Sequence, residues 1–291
     1  MGLKNKFMQI KNSSQQLSNL IEKEISAEKK EWLDEKISKI KEDKSSKELY
    51  LTYSLIASKI DKTILENQTE SSELTDYLAL HKASALEIAR IYLLTQVLEV
   101  DPEFFISKVA NIIQIADKSE LATFLKYLIL LPNPENFKST AVDSLRTNIA
   151  SVFDALALNN PYPGQFFNDQ QWNQMFLKAA FMQRDLTQIS DIDKRANKDL
   201  ARIISDYAHE RWAASRDIDP FFWRPVTNFL DESLLADMKR LLESQNPLEN
   251  KVAGILCYNS ENKEAQDLLK KYPPIWEEAK SNNLNWNTLK K

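Results

Sequence analysis

Glycine is almost missing from this chain: three residues in 291, at positions 2, 164 and 254, against an average usage of about 7%. Loops that cradle phosphates and turns that bind dinucleotides need several glycines within a few residues, so that backbone can approach the ligand. Gly2, Gly164 and Gly254 lie far apart, which excludes nucleotide chemistry of those kinds. Asn-Gly and Asp-Gly hairpin turns are absent, and no stretch alternates strictly between apolar and polar residues, which leaves an all-α fold. Cysteine is equally scarce. Cys257 stands alone and cannot form an internal disulfide, and the opening "MGLKNKFMQIKNSS" has no apolar signal core. Nothing points to export, so the cytoplasm is the expected compartment. Lys6 occupies the position where a myristoylation pattern wants Ser or Thr. The most hydrophobic run, "LATFLKYLILL" from Leu121 to Leu131, contains Lys126 and falls short of the ~20 residues a bilayer requires. It reads as a buried helix, with no membrane insertion. Neither sign of charge dominates: 38 basic and 42 acidic residues give −4, too little asymmetry to draw nucleic acid or anionic lipid.

What the chain does have is a large apolar fraction, 43% hydrophobic against 27% charged, enough to bury a sizeable core. Periodicity predicts helices over Leu3–Glu24, Ala27–Glu42, Lys47–Leu65, Ser72–Glu99, Pro102–Ala116, Ser119–Leu131, Thr140–Leu158, Asp169–Met182, Lys198–Ser215, Glu232–Glu243, Leu248–Cys257 and Lys263–Lys271. Starts are marked by Ser45 with Glu48, Ser71 with Leu74 and Asn168 with Gln171. "LPNPENF", "NNPYPGQFF", "DPFFWRP" and "YPPIW" read as linkers, because proline cannot continue a helix. Residues 1–48 are expected to form charged helices packed on the main body, with Trp32, Leu33, Ile37 and Ile40 as a narrow apolar stripe. Residues 49–230 form the central helical domain. Residues 231–291 continue the array with a HEAT-like pair, Val252, Ile255 and Leu256 facing Ala265, Leu268 and Leu269. The fold expected is an array of antiparallel helix pairs, an α-solenoid; an irregular helical bundle is the alternative.

Three polar sets stand out. In "SDYAHERWAASR", Leu200, Ile203, Ile204 and Tyr207 make one helical face, and Arg211 falls at its centre. A guanidinium aimed inward must meet a carboxylate or line a cavity that takes an anion. Arg202, Asp206 and His209 line the opposite face at i, i+4 and i+7, as a surface salt bridge or a cleft wall. In "DQQWNQMFLKAAFM", apolar residues from Trp172 to Phe181 and Met182 surround the helix, which predicts an enclosed element, interrupted by Asn173 and Lys178. Arg146 sits at the edge of the apolar face of Val142, Leu145, Ile149, Val152, Phe153 and Leu156, with Asn159, Asn160 and Tyr162 at the far end. No metal or cofactor is implied. "HERWA" departs from HExxH because Ala213 replaces the second histidine, and His81 lies three residues after Leu78 rather than an acid. Cys257 has no partner histidine in its motif, and no serine occupies a nucleophile elbow, so no catalytic residue is assigned.

The combination "RTNIASVFDALALNNPYPGQFFNDQQWNQMFLKAAFM" and "DKRANKDLARIISDYAHERWAASRDIDPFFWR", continuous from Arg146 to Arg224, resembles the central signature of the EboA-domain family. The resemblance implies a bacterial protein with no assigned reaction, encoded beside a prenyltransferase and related enzymes in secondary-metabolite clusters. It implies a pathway and carries over no catalytic residue. The expected function is a non-catalytic binding or adaptor protein holding a small amphiphilic metabolite or a partner protein in a groove; the alternative is an enzyme on a prenylated or phosphorylated small molecule. The candidate ligand-binding residues are Arg146, Asn148, Asn159, Asn160, Tyr162, Trp172, Asn173, Lys178, Arg195, Arg202, Asp206, His209 and Arg211. An apolar pocket with a few cationic or amide groups suits an amphiphile with an anionic head.

Overall fold

Where apolar side chains return every three or four positions and a Ser, Asp or Asn precedes them, the chain has both a face to bury and an oxygen to satisfy the first free N–H groups. The computed structural model describes residues 13–65, 72–281 and 283–289. Among them the regular structure is helical, with one isolated bridge between Ile64 and Ser84 and no strand. None of their helices is long and apolar enough to cross a membrane. The chain divides into two units, 1–171 and 172–291.

The first unit contains α1 (Ser13–Glu24), α2 (Ala27–Asp43), α3 (Ser46–Lys59), α4 (Glu73–Leu80), α5 (Ala85–Val100), α6 (Pro102–Ala110), α7 (Ile112–Ile115), α8 (Lys118–Lys126), α9 (Lys138–Ser144), α10 (Ala150–Ala157) and α11 (Tyr162–Phe166). Of the residues expected to start the first helix, 3–12 lie outside the described ones. Helix α5 is the axis: twelve of its sixteen residues are buried, and it packs against α1, α2, α3, α6 and α8. Each fully buried Leu or Ile on it stabilises the fold by about 1.5–3 kcal/mol. The expected single helix from Ser72 to Glu99 is two. Lys82 turns left-handed at φ 48°, and Ser84 opens α5 through a capping box with Glu87, satisfying N–H groups that a continuous helix would have paired internally. Ser72 with Thr75 caps α4; the expected cap at Ser71 lies outside the described residues. Ser45 caps α3 as expected, its oxygen accepting from the Glu48 N–H at 3.2 Å. The expected helix from Thr140 to Leu158 also breaks. Thr147 Oγ accepts from the Ile149 N–H at 3.1 Å, the local bond by which such residues compete with helix.

Helix α12 (Asp169–Phe181) carries the division between the units. It is followed by α13 (Ile192–Arg195), α14 (Lys198–Ala213), α15 (Glu232–Leu242), α16 (Pro247–Asn259), α17 (Lys263–Lys270) and α18 (Pro273–Lys280). All four segments read as linkers contain elements: "LPNPENF" holds a 3-10 helix, Pro134–Phe137, and "NNPYPGQFF" holds α11, and the other two lie in this unit. "DPFFWRP" forms a 3-10 helix, Pro220–Val226, with all seven residues buried. Proline presets its first dihedral and Asp219 accepts from the Phe221 N–H at 3.0 Å. It packs against α14 and α16. In "YPPIW" the two prolines occupy the first turn of α18, where no N–H is needed. Helix α16 packs against α15, α17 and α18, and Val252, Ile255, Leu256, Ala265 and Leu269 of the expected set are buried, whereas Leu268 is only half-buried.

Candidate functional site

Helices α12 and α14 end alike. After α12 the Arg184 N–H reaches back to the Ala179 carbonyl at 2.9 Å and the Gln183 N–H to Ala180 at 3.0 Å; after α14 the Arg216 N–H reaches Arg211 at 2.9 Å and the Ser215 N–H reaches Trp212 at 2.9 Å. This is the paired bonding of a Schellman turn. The left-handed residue it requires is Gln183 in one (φ 55°) and Ser215 in the other (φ 53°). Each turn therefore sets an arginine immediately beyond a helix C-terminus, where the carbonyl ends favour a cation.

Between these two ends lies a groove of about 560 Å³, lined by Phe181, Leu186, Tyr207, Ile218, Pro220 and Phe222 and by Arg184, Arg211, Arg216, Asp217 and Asp219. Phe181 is 76% exposed. Phe222 supplies the floor, stacked on buried Phe176 at 5.7 Å and edge-on to Tyr207 at 5.2 Å. Arg211 donates from Nε and Nη2 to the Asp217 carbonyl at 3.1 and 2.6 Å. It is half-buried, and among the described residues no carboxylate pairs with it; of the two readings of an inward guanidinium the internal ion pair does not hold, whereas Arg211 does line a cavity and fastens the loop that follows its own helix. A neighbouring cleft of about 580 Å³ shares Arg216 and Asp217, and its Arg216, Lys239 and Arg240 are offset by Asp217, Glu243 and Glu249.

The remaining candidates fall into separate roles. Asn160 is 1% exposed. Its Nδ2 donates to the carbonyls of Leu125 at 3.1 Å and Ala155 at 2.9 Å, and its Oδ1 accepts from the Tyr162 N–H at 2.9 Å, joining the ends of α8 and α10. Tyr162 donates to the Pro134 carbonyl at 2.8 Å, and the Asn159 carbonyl meets His81 Nε2 at 3.2 Å. The "NNPYP" stretch thus fastens helix ends. Arg146 lies on no apolar face: its side chain is 84% exposed and 3.7 Å from Asp143. Asn148 is exposed in the break before α10. Trp172 is buried, with the Arg195 guanidinium 5.5 Å above its ring. Asn173 and Asn197 exchange amide bonds at 3.1 and 2.9 Å, and Asn197 caps α14. Lys178 is half-buried on α12. That helix is not enclosed: Trp172, Met175, Phe176 and Ala179 face inward, and Phe181 does not.

Arg202 and Asp206 form an exposed pair at 3.3 Å, but Asp206 is not the partner of His209. That partner is Asp237 on α15, 3% exposed, 2.6 Å from His209 Nε2; its other oxygen accepts from Ser205 Oγ at 2.6 Å. The serine hydroxyl is bonded to the carboxylate and not to the imidazole, so the trio lacks the nucleophile-to-base bond that acyl transfer needs. It clasps α14 to α15. His209 lies against Trp212 at 5.6 Å, and Trp212 is sandwiched between Trp223 at 5.6 Å and the Arg240 guanidinium at 4.1 Å. Among the described residues no three His, Cys, Asp or Glu side chains stand together as metal ligands.

Sequence reasoning missed Arg184, Arg216, Tyr207 and Phe222 as a set, and Asp237 altogether. One signal was present: at about 100° per residue Phe181 falls about 140° from Phe176, off the inward face of α12. Asp237 had none, since its pairing spans 28 residues. A family model described as "Metabolite traffic protein EboA" matches residues 13–227, a span that includes every residue of the groove. No curated protein and no solved structure matches the chain.

Proposed function

The chain belongs to the EboA family, whose description is metabolite traffic protein, and from that premise we propose that it is a non-catalytic binding protein that holds a small amphiphilic metabolite in the groove between the ends of α12 and α14. The observation that carries this is the groove itself: an apolar floor of Phe222 and Tyr207, a phenylalanine standing 76% in solvent at the rim, and guanidinium groups from both helix ends. Binding sites combine mostly apolar walls with a few placed polar groups, and about 560 Å³ lies within their usual size. An exposed Phe181 loses nothing by covering a chain and gains roughly 1.5–3 kcal/mol when its ring leaves water. The resemblance to proteins encoded beside a prenyltransferase makes prenyl-type compounds of a bacterial secondary-metabolite pathway the leading ligands, and the proposal sets this work in the cytoplasm. The α16 contacts with α15, α17 and α18 support a HEAT-like stacking of helices in the C-terminal part.

The enzyme alternative rests on His209 and its buried carboxylate, Asp237. Ser205 turned to that carboxylate leaves the cluster without a nucleophile, which favours binding over catalysis. The test is native mass spectrometry of gently purified protein together with a thermal-shift series in farnesyl phosphate. At a hundredfold excess over Kd the ligand should add about 2.7 kcal/mol and raise Tm by several degrees. Phe181→Ser should abolish the rise, and Arg146→Ala and Lys178→Ala should keep it. No adduct and no shift with any prenyl compound would sink the proposal.

A further inference from the structure

An apolar floor explains why a chain would lie in the groove but not what stands at the end of that chain. The loop after α14 answers this. It is held on three sides: the Arg216 N–H bonds to the Arg211 carbonyl, Arg211 grips the Asp217 carbonyl through two donors, and Ile218 and Pro220 are buried behind it. A loop so fastened presents Arg216 from a fixed backbone, and the Arg216 side chain itself is exposed. Its guanidinium makes no hydrogen bond or ion pair to a described residue. Across the groove the twin turn presents Arg184. The opposing charges are fewer. Of the groove's own acids, Asp219 is engaged as the cap of the 3-10 helix and Asp217 is exposed beside Arg216; on the cleft side, Glu243 and Glu249 face Lys239 and Arg240 as well as Arg216.

We infer that the ligand carries an anionic head, a phosphate or carboxylate, and that Arg216 is the residue that reads it while the chain lies along Phe181 and Phe222. The inference rests on the binding role proposed above for the same groove. Guanidinium suits this task because it is always charged and offers two parallel N–H donors to an oxyanion. Arg211 is the lesser partner, since its Nε and Nη2 hold the Asp217 carbonyl. Head recognition by Arg216 sits where the groove meets the neighbouring cleft, since Arg216 lines both.

Three probes of equal chain length separate the chain from its head: dodecyl phosphate, dodecanol and dodecylamine, titrated calorimetrically into the full-length protein at low and high salt. The phosphate should bind at least about tenfold more tightly than the alcohol, with an affinity that falls as salt rises, and the amine should bind most weakly. Arg216→Glu should bring the phosphate down to the level of the alcohol and leave the alcohol within about twofold of its original affinity; unchanged circular dichroism confirms that the variant folds. Arg216→Lys should recover part of the loss. Alcohol and phosphate binding equally well, or phosphate affinity indifferent to Arg216→Glu, would overturn the inference while leaving the groove a binding site. Failure of all three probes would overturn both.

Discussion

An arginine removed from water must keep its carboxylate. In α5 the Arg90 side chain is 2% exposed, 3.2 Å from Glu120, with its Nε bonded to the Tyr53 carbonyl at 3.2 Å. Glu120→Ala leaves that guanidinium buried without its counter-charge and is expected to lower stability by about 3–5 kcal/mol, read as an earlier urea midpoint. Arg211→Met removes two donors from the single carbonyl of exposed Asp217, and the expected loss is about 1 kcal/mol. Equal losses would refute the distinction. The same physics explains what could be read beforehand. The sequence marks Arg211 as inward because it shares a phase with Tyr207, whereas Arg90, set in "ALEIARIYLLTQVLEV" with apolar neighbours on every side, is buried at 2% exposure, as is Arg224 at 7%. Phase around one helix shows which side chain faces in; it does not show how far the covering elements extend. His81 provides a test by pH. Burial, and next the nearby Lys126, hold its pKa down to about 4 from an ordinary 6.5. Between those values the unfolded chain binds the proton that the folded one refuses, so stability should fall as pH drops from about 6.5 to about 4, by up to roughly 3 kcal/mol. Denaturation of His81→Gln across this range should show a flatter curve; an identical slope would mean the ring is free to charge.

Among elements, the helices whose caps are written in sequence are the ones that could be placed. Ser45 with Glu48 and Asn168 with Gln171 perform as their spacing predicts, the latter exchanging bonds at 3.0 and 2.9 Å. The capping box of Ser84 with Glu87 was equally present, but an unbroken apolar run across it masked the boundary. Proline misled in the other direction: at the first positions of a helix it starts an element, and Pro220 and Pro273 do so. The groove could not be read because it is made where two helices stop, with Gln183 and Ser215 in a backbone conformation that sequence marks clearly only when glycine occupies it. Gly254, inside α16, has a packing reason. A Cβ on Gly254 of α16 would collide with Ile275 Cγ2 of α18 and press on Leu284 Cδ2 at 3.3 Å. Ile275 is β-branched and cannot swing away freely. Gly254→Ala should therefore cost about 1–3 kcal/mol, measured by thermal melting, despite alanine's better helix propensity; a rise in Tm would show that α18 yields.

At the scale of the whole molecule, two helical units carry the chain, and the family match spans residues 13–227. The groove lies within that match, whereas the clasp from His209 to Asp237 ends on a helix beyond it. A second large concavity, about 990 Å³ along α2 and lined by Glu22, Glu31, Asp34, Glu35 and Glu42 beside Lys30 and Lys39, offers the opposite charge and so sets the control. The most direct measurement is photolabelling of the full-length protein with a diazirine-bearing prenyl phosphate, followed by peptide mapping. The account predicts labels confined to residues 180–222, at Phe181, Tyr207 or their neighbours, and lost on competition with unlabelled farnesyl phosphate. Labels concentrated on residues 22–42, or spread evenly over both units and indifferent to competitor, would contradict it.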